Sequence, residues 1–160
     1  MIKKIISGGQ TGADRAALDV AIEMGIAHGG WINKGRQTED GTLPQKYCLK
    51  EINSIDYYQR TELNVADSDG TVIISHGGLK GGSSHTLILA KRHNKPCLHI
   101  DLDELGVYKG VEKINSWIKD REIEVLNVAG PRASEDAGIY EAVRNVIKSV
   151  LSLKDITDNI

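Results

Sequence analysis

At 160 residues, with 40% hydrophobic and 26% charged side chains, the sequence fits one soluble domain that can bury a core without metal or disulfide. A net charge of -2 excludes a general attraction to nucleic acid or membrane surfaces, and no apolar run approaches the length of a bilayer span. Cys48 and Cys97 lie far apart without a CxxC partner, which predicts free buried thiols, no zinc site and a reducing, cytoplasmic setting. Six residues precede the first glycine turn, leaving no room for a signal peptide on this reading.

In chain order, residues 1–6 read as a short buried strand and 14–22 as a helix with apolar residues at helical spacing. Between them lies the glycine turn Ser7-Gly8-Gly9-Gln10-Thr11-Gly12-Ala13-Asp14. A strand, glycine turn and helix in this order place main-chain N–H groups and a helix dipole where an anion such as phosphate can sit. The turn is neither a Walker A loop nor a GxGxxG fingerprint, and the plainer reading is a tight turn with Asp14 as a helix cap. Residues 24–32 read as a helix stop and a short strand, and 33–44 as an exposed loop long enough to carry function. A short helix over 57–66 then precedes the apolar strand 71–75, of the kind buried on both faces.

That strand runs into a second glycine loop, His76-Gly77-Gly78-Leu79-Lys80-Gly81-Gly82-Ser83-Ser84-His85-Thr86, and a helix over 87–93. A strand at 96–100, a helix over 108–119 and a strand at 123–128 lead to a third loop around Gly130-Pro131-Arg132 and a closing helix from about 139 to 153. Repeated strand, loop and helix units predict an α/β fold, a doubly wound and mostly parallel sheet with helices on both faces and the three loops on its carboxyl edge. Residues 1–153 form the expected domain and 154–160 a frayed tail.

Ser7 to Arg15, Lys34-Gly35-Arg36, Glu39-Asp40-Gly41, Arg60-Thr61, Asn64-Val65, Asp67 to Thr71 and Leu126 to Arg132 together resemble the molybdenum (molybdenum cofactor) carrier family over nearly the whole chain. That family is similar to the Rossmann-like Lonely Guy phosphoribohydrolases and the DNA-uptake protein DprA. The resemblance implies a single Rossmann-like domain, often homo-oligomeric, holding molybdenum cofactor or another phosphate-bearing pterin or nucleotide-like ligand, with molybdoenzymes as recipients. The phosphoribohydrolases carry a loop glutamate as acid/base; here the matching loop is Gly81-Gly82-Ser83-Ser84-His85-Thr86, with Thr86 at that place. Threonine cannot exchange a proton near neutral pH, so binding without catalysis is expected. Ser83-Ser84-His85 departs from the Gly-Gly-Thr pattern of the carriers.

The expected ligand set is Ser7, Gly8, Gly9, Gln10, Thr11, Gly12, Asp14, Arg36, Glu39, Gly81, Gly82, Ser83, Thr86, Gly130 and Arg132, with no catalytic or metal-binding residue. Arg36 and Arg132 lie in loops, where arginine can take phosphate with two parallel hydrogen bonds, and they are the charges expected at the ligand, with a solvated loop arginine as the alternative. Arg15 has Asp19 one helical turn on as a local partner, His85 is a candidate contact, and Trp31 suits the core. Two other readings stay open: a nucleotide N-glycosidase in which Glu39 or Asp40 replaces the missing glutamate, and a nucleotide-sensing or DNA-handling module.

Overall fold

The computed structural model describes residues 1–152; the expected tail, 154–160, lies outside the described residues. In chain order the elements are β1 (Lys4–Ile6), α1 (Ala13–Glu23), β2 (Ala27–Gly29), β3 (Trp31–Ile32), a 3-10 turn (Lys34–Arg36), β4 (Gln37–Thr38), β5 (Gly41–Thr42), β6 (Lys50–Glu51), α2 (Tyr57–Ala66), β7 (Gly70–Ser75), α3 (Gly81–Arg92), β8 (Cys97–Asp101), α4 (Leu102–Asp120), β9 (Val125–Ala129) and α5 (Ile139–Ser152). No described helix is long and apolar enough to cross a membrane.

The main sheet has the order β2-β1-β9-β7-β8 and every pairing in it is parallel. All carboxyl ends therefore lie on one edge, and the loops after β1, β7 and β9 meet there. Beta-branched residues make the strands: all six residues of β7 are buried, as expected for a strand covered on both faces. Val72 and Ile74 of β7 point to the face covered by α1, α4 and α5, where they join Ile5, Ile100, Leu126 and Val128 in the main core. α5 supplies Ile139, Val143, Val146, Ile147 and Val150 to that core from one stripe, each worth about 1.5 to 3 kcal/mol of burial. On the opposite face α2 and α3 pack together through Val65, Leu89 and Ala90, a much thinner layer.

The chain reverses direction across the sheet at its centre. β1 connects leftward to β2, β7 connects rightward to β8, and β9 returns to fill the space between β1 and β7. This is a doubly wound α/β fold, and open sheets of this kind bind ligands in the crevice at such a reversal.

Several local expectations change. The strand expected near 32 is split: β2 joins the main sheet, whereas Trp31 and Ile32 pair with Lys50 and Glu51 in a separate two-stranded ladder. The stretch 33–44 is not an open loop but a 3-10 turn and a small hairpin, with Arg36 and Leu43 buried. α3 begins at Gly81, so the second glycine loop supplies the helix's first turn. Cys48 is exposed and Cys97 partly so, not buried as expected, and both are free. Arg15 does not pair with Asp19; it reaches Asp40 at 3.1 Å, while Asp19 accepts the Tyr47 and Tyr140 hydroxyls at 2.5 Å each.

Candidate functional site

The first glycine loop is built from its own hydrogen bonds. Gly9 N–H donates to Ser7 Oγ (3.3 Å), Gln10 N–H to Asp14 Oδ2 (3.3 Å), Thr11 N–H to Gln10 Oε1 (3.0 Å) and Ala13 N–H to Pro131 O (3.1 Å). Ser7 Oγ in turn donates to Asp14 O at 3.0 Å. Four of the loop's N–H groups are thus taken, and one oxygen of Asp14 serves the loop itself. Gly9 packs against Leu43, Leu49 and Ile32. Gly12, at φ +79°, lies so close to the third loop that a Cβ there would stand 2.5 Å from Pro131 O. Ser7, Gly9, Thr11 and Gly12 hold loops together; none of them lines the cleft.

Glu39 performs a related task. Its carboxylate accepts from the Ser134 hydroxyl (2.6 Å), the Ser134 N–H (3.1 Å) and the Thr11 hydroxyl, while its own N–H donates to Gln10 Oε1 at 2.9 Å. The Ser134 and Thr11 hydroxyls hold the Glu39 carboxyl below the ordinary carboxylate value. Glu39 therefore pins the hairpin to the first and third loops. That placement leaves it, like Asp40 in its pair with Arg15, outside the cleft where a substitute catalytic acid would have to stand.

The expectation for Arg36 is corrected outright. Its guanidinium donates to four main-chain carbonyls, those of Leu43 (3.2 Å), Leu49 (3.2 Å), Pro44 (2.9 Å) and Tyr47 (2.7 Å), and is buried among them. It organises the 34–49 excursion and does not line the cleft.

A cavity of about 100 Å³ opens at the carboxyl ends of β1 and β9, between α2 and α3. Of the expected residues, Gly8, Gln10, Asp14, Gly82, Ser83, Thr86, Gly130 and Arg132 line it. The start of α3 is open: its N-cap, Lys80, makes no side-chain cap, and a Cβ on Gly81 or Gly82 would meet nothing within 4 Å. Gly81 itself lies just outside the lining. Ser83 N–H turns back to Lys80 O at 3.1 Å, and the N–H groups of Gly81 and Gly82, at the positive end of the dipole, have no acceptor among the described residues. Thr86 Oγ1 donates to Gly82 O at 2.9 Å, tying this turn together.

The residue that sequence reasoning missed is Arg60. From α2 it donates Nη1–H to Gly8 O at 2.8 Å and stands 3.8 Å from Asp14 Oδ2, while its Nε–H is buried with no partner among the described residues. Burial lowers its pKa from the usual guanidinium value, and burial pushes the Asp14 carboxyl up to about 6 against the pull of Arg60. Arg132, paired with Glu135 at 3.1 Å, and Arg60 both lie over the Tyr57 ring, at 5.9 and 5.3 Å from its centroid. Thr61, Asn64, Asn127 and Glu135 also line the cavity. Asn64 is a clamp, since its amide bonds both the N–H and the carbonyl of Trp31. The sequence did hold a signal: Arg60, Thr61 and Asn64 recur at helical spacing and form a polar stripe on the side of α2 that lines the cavity.

Next to this cavity is a smaller one reached by His76, whose Nδ1 lies 2.6 Å from Asp136 Oδ2. Ser83 and Glu135 border both. His85 stacks edge-on against Tyr58, and Trp31 donates Nε1–H to Asp67 at 2.7 Å rather than entering the core.

Comparison with known proteins agrees with this architecture. The model of the circularly permutated YpsA SLOG family matches residues 5–151. A crystal structure of a "Putative molybdenum carrier protein" from Syntrophus aciditrophicus SB superposes with a TM-score of 0.92 at 55% sequence identity, over 94% of this chain and 95% of that one. None of the curated proteins matches the chain. A family match over nearly every described residue, together with more than half the sequence shared with a structural neighbour of the same fold, places it: the chain belongs to the circularly permutated YpsA SLOG family.

Proposed function

We propose that the chain is a molybdenum carrier. On this reading it holds a small anionic ligand, molybdenum cofactor or another phosphate-bearing pterin or nucleotide-like molecule, in the cleft between α2 and α3 and breaks no bond in it. The observation that carries the reading is Arg60: a buried guanidinium with an unmatched Nε–H in the cleft wall is costly unless an acceptor arrives to take it. The open first turn of α3 and Arg132 add donors for the negative group. The name of the Syntrophus neighbour supports the choice of cargo. The family resemblance supports a homo-oligomer that passes its ligand to molybdoenzymes.

Thermal unfolding tests this with molybdate, inorganic phosphate, nucleoside monophosphates and pterin phosphates. At about a hundred times its dissociation constant a true ligand stabilises by about 2.7 kcal/mol, a rise in Tm of several degrees. Arg132→Gln should weaken that ligand about tenfold, the loss of one charge-assisted bond. No rise with any of these compounds overturns the reading.

A further inference from the structure

The cleft holds two groups that the protein leaves incomplete side by side. Arg60 spends Nη1 on Gly8 O and keeps its Nε–H without an acceptor among the described residues. Asp14 gives Oδ2 to the Gln10 N–H, and its second oxygen receives no hydrogen bond among the described residues. The two side chains stand 3.8 Å apart, each only 12% exposed. A buried, unpartnered donor beside a carboxylate oxygen open to the cleft is the negative image of a ligand edge that offers an acceptor beside donors. The charged groups facing Asp14 are Arg60 of α2, Arg15 of α1 and Arg132 of the loop before α5, with Glu135 on the cleft wall in its pair with Arg132.

We propose that Asp14 and Arg60 read the edge of a 2-amino-4-oxo pyrimidine ring, the edge shared by guanine and pterins, while the anionic group of the same ligand sits at the start of α3. This rests on the carrier reading above and names the ring that the cleft selects. The ring N–H and the neighbouring amino group are two donors for one carboxylate, and the adjacent ring carbonyl accepts from Arg60 Nε–H. An adenine ring has a bare acceptor nitrogen where the 2-amino-4-oxo ring has N–H, so it sets a lone pair against Asp14 and leaves both protein groups unmatched.

Protonation gives an independent sign. Burial pushes the Asp14 carboxyl up to about 6. Donors arriving on the carboxylate pull it down, so ring binding releases a proton, and affinity rises as pH climbs through about 6 and levels above it. A phosphate set against Asp14 would instead take up a proton and bind better as pH falls.

The test is titration calorimetry of the full chain with GMP, AMP and inorganic phosphate, in two buffers of unlike ionisation heat, repeated with Asp14→Asn. The expected result is GMP binding about tenfold or more tighter than AMP, proton release near pH 6 greater with GMP than with AMP, whose phosphate titrates in the same range, and a preference reduced to about threefold or less in Asp14→Asn. Equal affinity for GMP and AMP, proton release no greater with GMP than with AMP, or a preference that survives Asp14→Asn overturns the ring assignment. If phosphate still binds in those cases, the carrier reading stands. Absence of binding by all three overturns the ring assignment, while the carrier reading is decided by molybdate and the pterin phosphates. The wild-type comparison of GMP with AMP holds even if the variant fails to fold.

Discussion

The loops after β1 and β7 look alike on paper, and their glycines do opposite things. In the first, Gly9 and Gly12 are small because other parts of the protein press against them, and the N–H groups of Gly9, Gln10, Thr11 and Ala13 are taken. In the second, Gly81 and Gly82 face open space at a helix start that no side chain caps. A glycine-rich turn before a helix is therefore a place where the backbone comes close to something. Whether that something is a ligand or the next loop depends on what the rest of the chain brings to the spot.

Three substitutions probe this contrast, beginning with the largest effect. Gly12→Val puts a branched side chain at φ +79° against Pro131 O, and should cost about 3 kcal/mol or more of unfolding free energy in urea. A loss of ligand binding with stability intact would instead make the first loop a ligand loop like the second. Glu39→Gln weakens the clasp between the hairpin and the first and third loops, at about 1 kcal/mol because solvent screens an exposed carboxylate. The Glu39 carboxyl is held below its usual value, so its contribution is complete above the ordinary carboxylate range and is lost as pH falls through it. The gap between wild type and variant should accordingly close below about pH 4, which urea melts at two pH values will show. Gly82→Ala has the smallest effect on stability, a change of about 0.5 kcal/mol, since alanine suits a helix turn with free space beside it. Its consequence should appear in binding, where a methyl group in the cleft lowers phosphate affinity severalfold by calorimetry.

The framework was legible because it rests on local pattern. β7, α2 and α5 announce themselves by apolar runs and spacing, and alternating strands and helices imply the parallel sheet and the shared edge. The roles of single polar residues were not legible, because these depend on partners distant in sequence. Arg36 sits in a charged, turn-rich stretch, yet it is buried by carbonyls that only the folded excursion supplies. Glu39 looks like a free acid until Ser134, 95 positions away, meets it. Arg60 entered through the family resemblance but not as a site residue, for the opposite reason: it lies in an ordinary helix, and its meaning comes from Gly8 and Asp14 across the sheet edge. Loops chosen for their glycines gave roughly the right neighbourhood, and the helix facing them supplied the charge.

The position of β9 bears on how the protein comes to be made. The last strand of the sheet to be synthesised is its central one, wedged between β1 and β7. Until residues 125–129 leave the ribosome, two apolar strands of the nascent chain each lack a neighbour, and Gly130 and Arg132 are not yet there to close the cleft. Assembly of the sheet and the birth of the binding pocket are thus one late event, and a chain truncated before β9 would have neither.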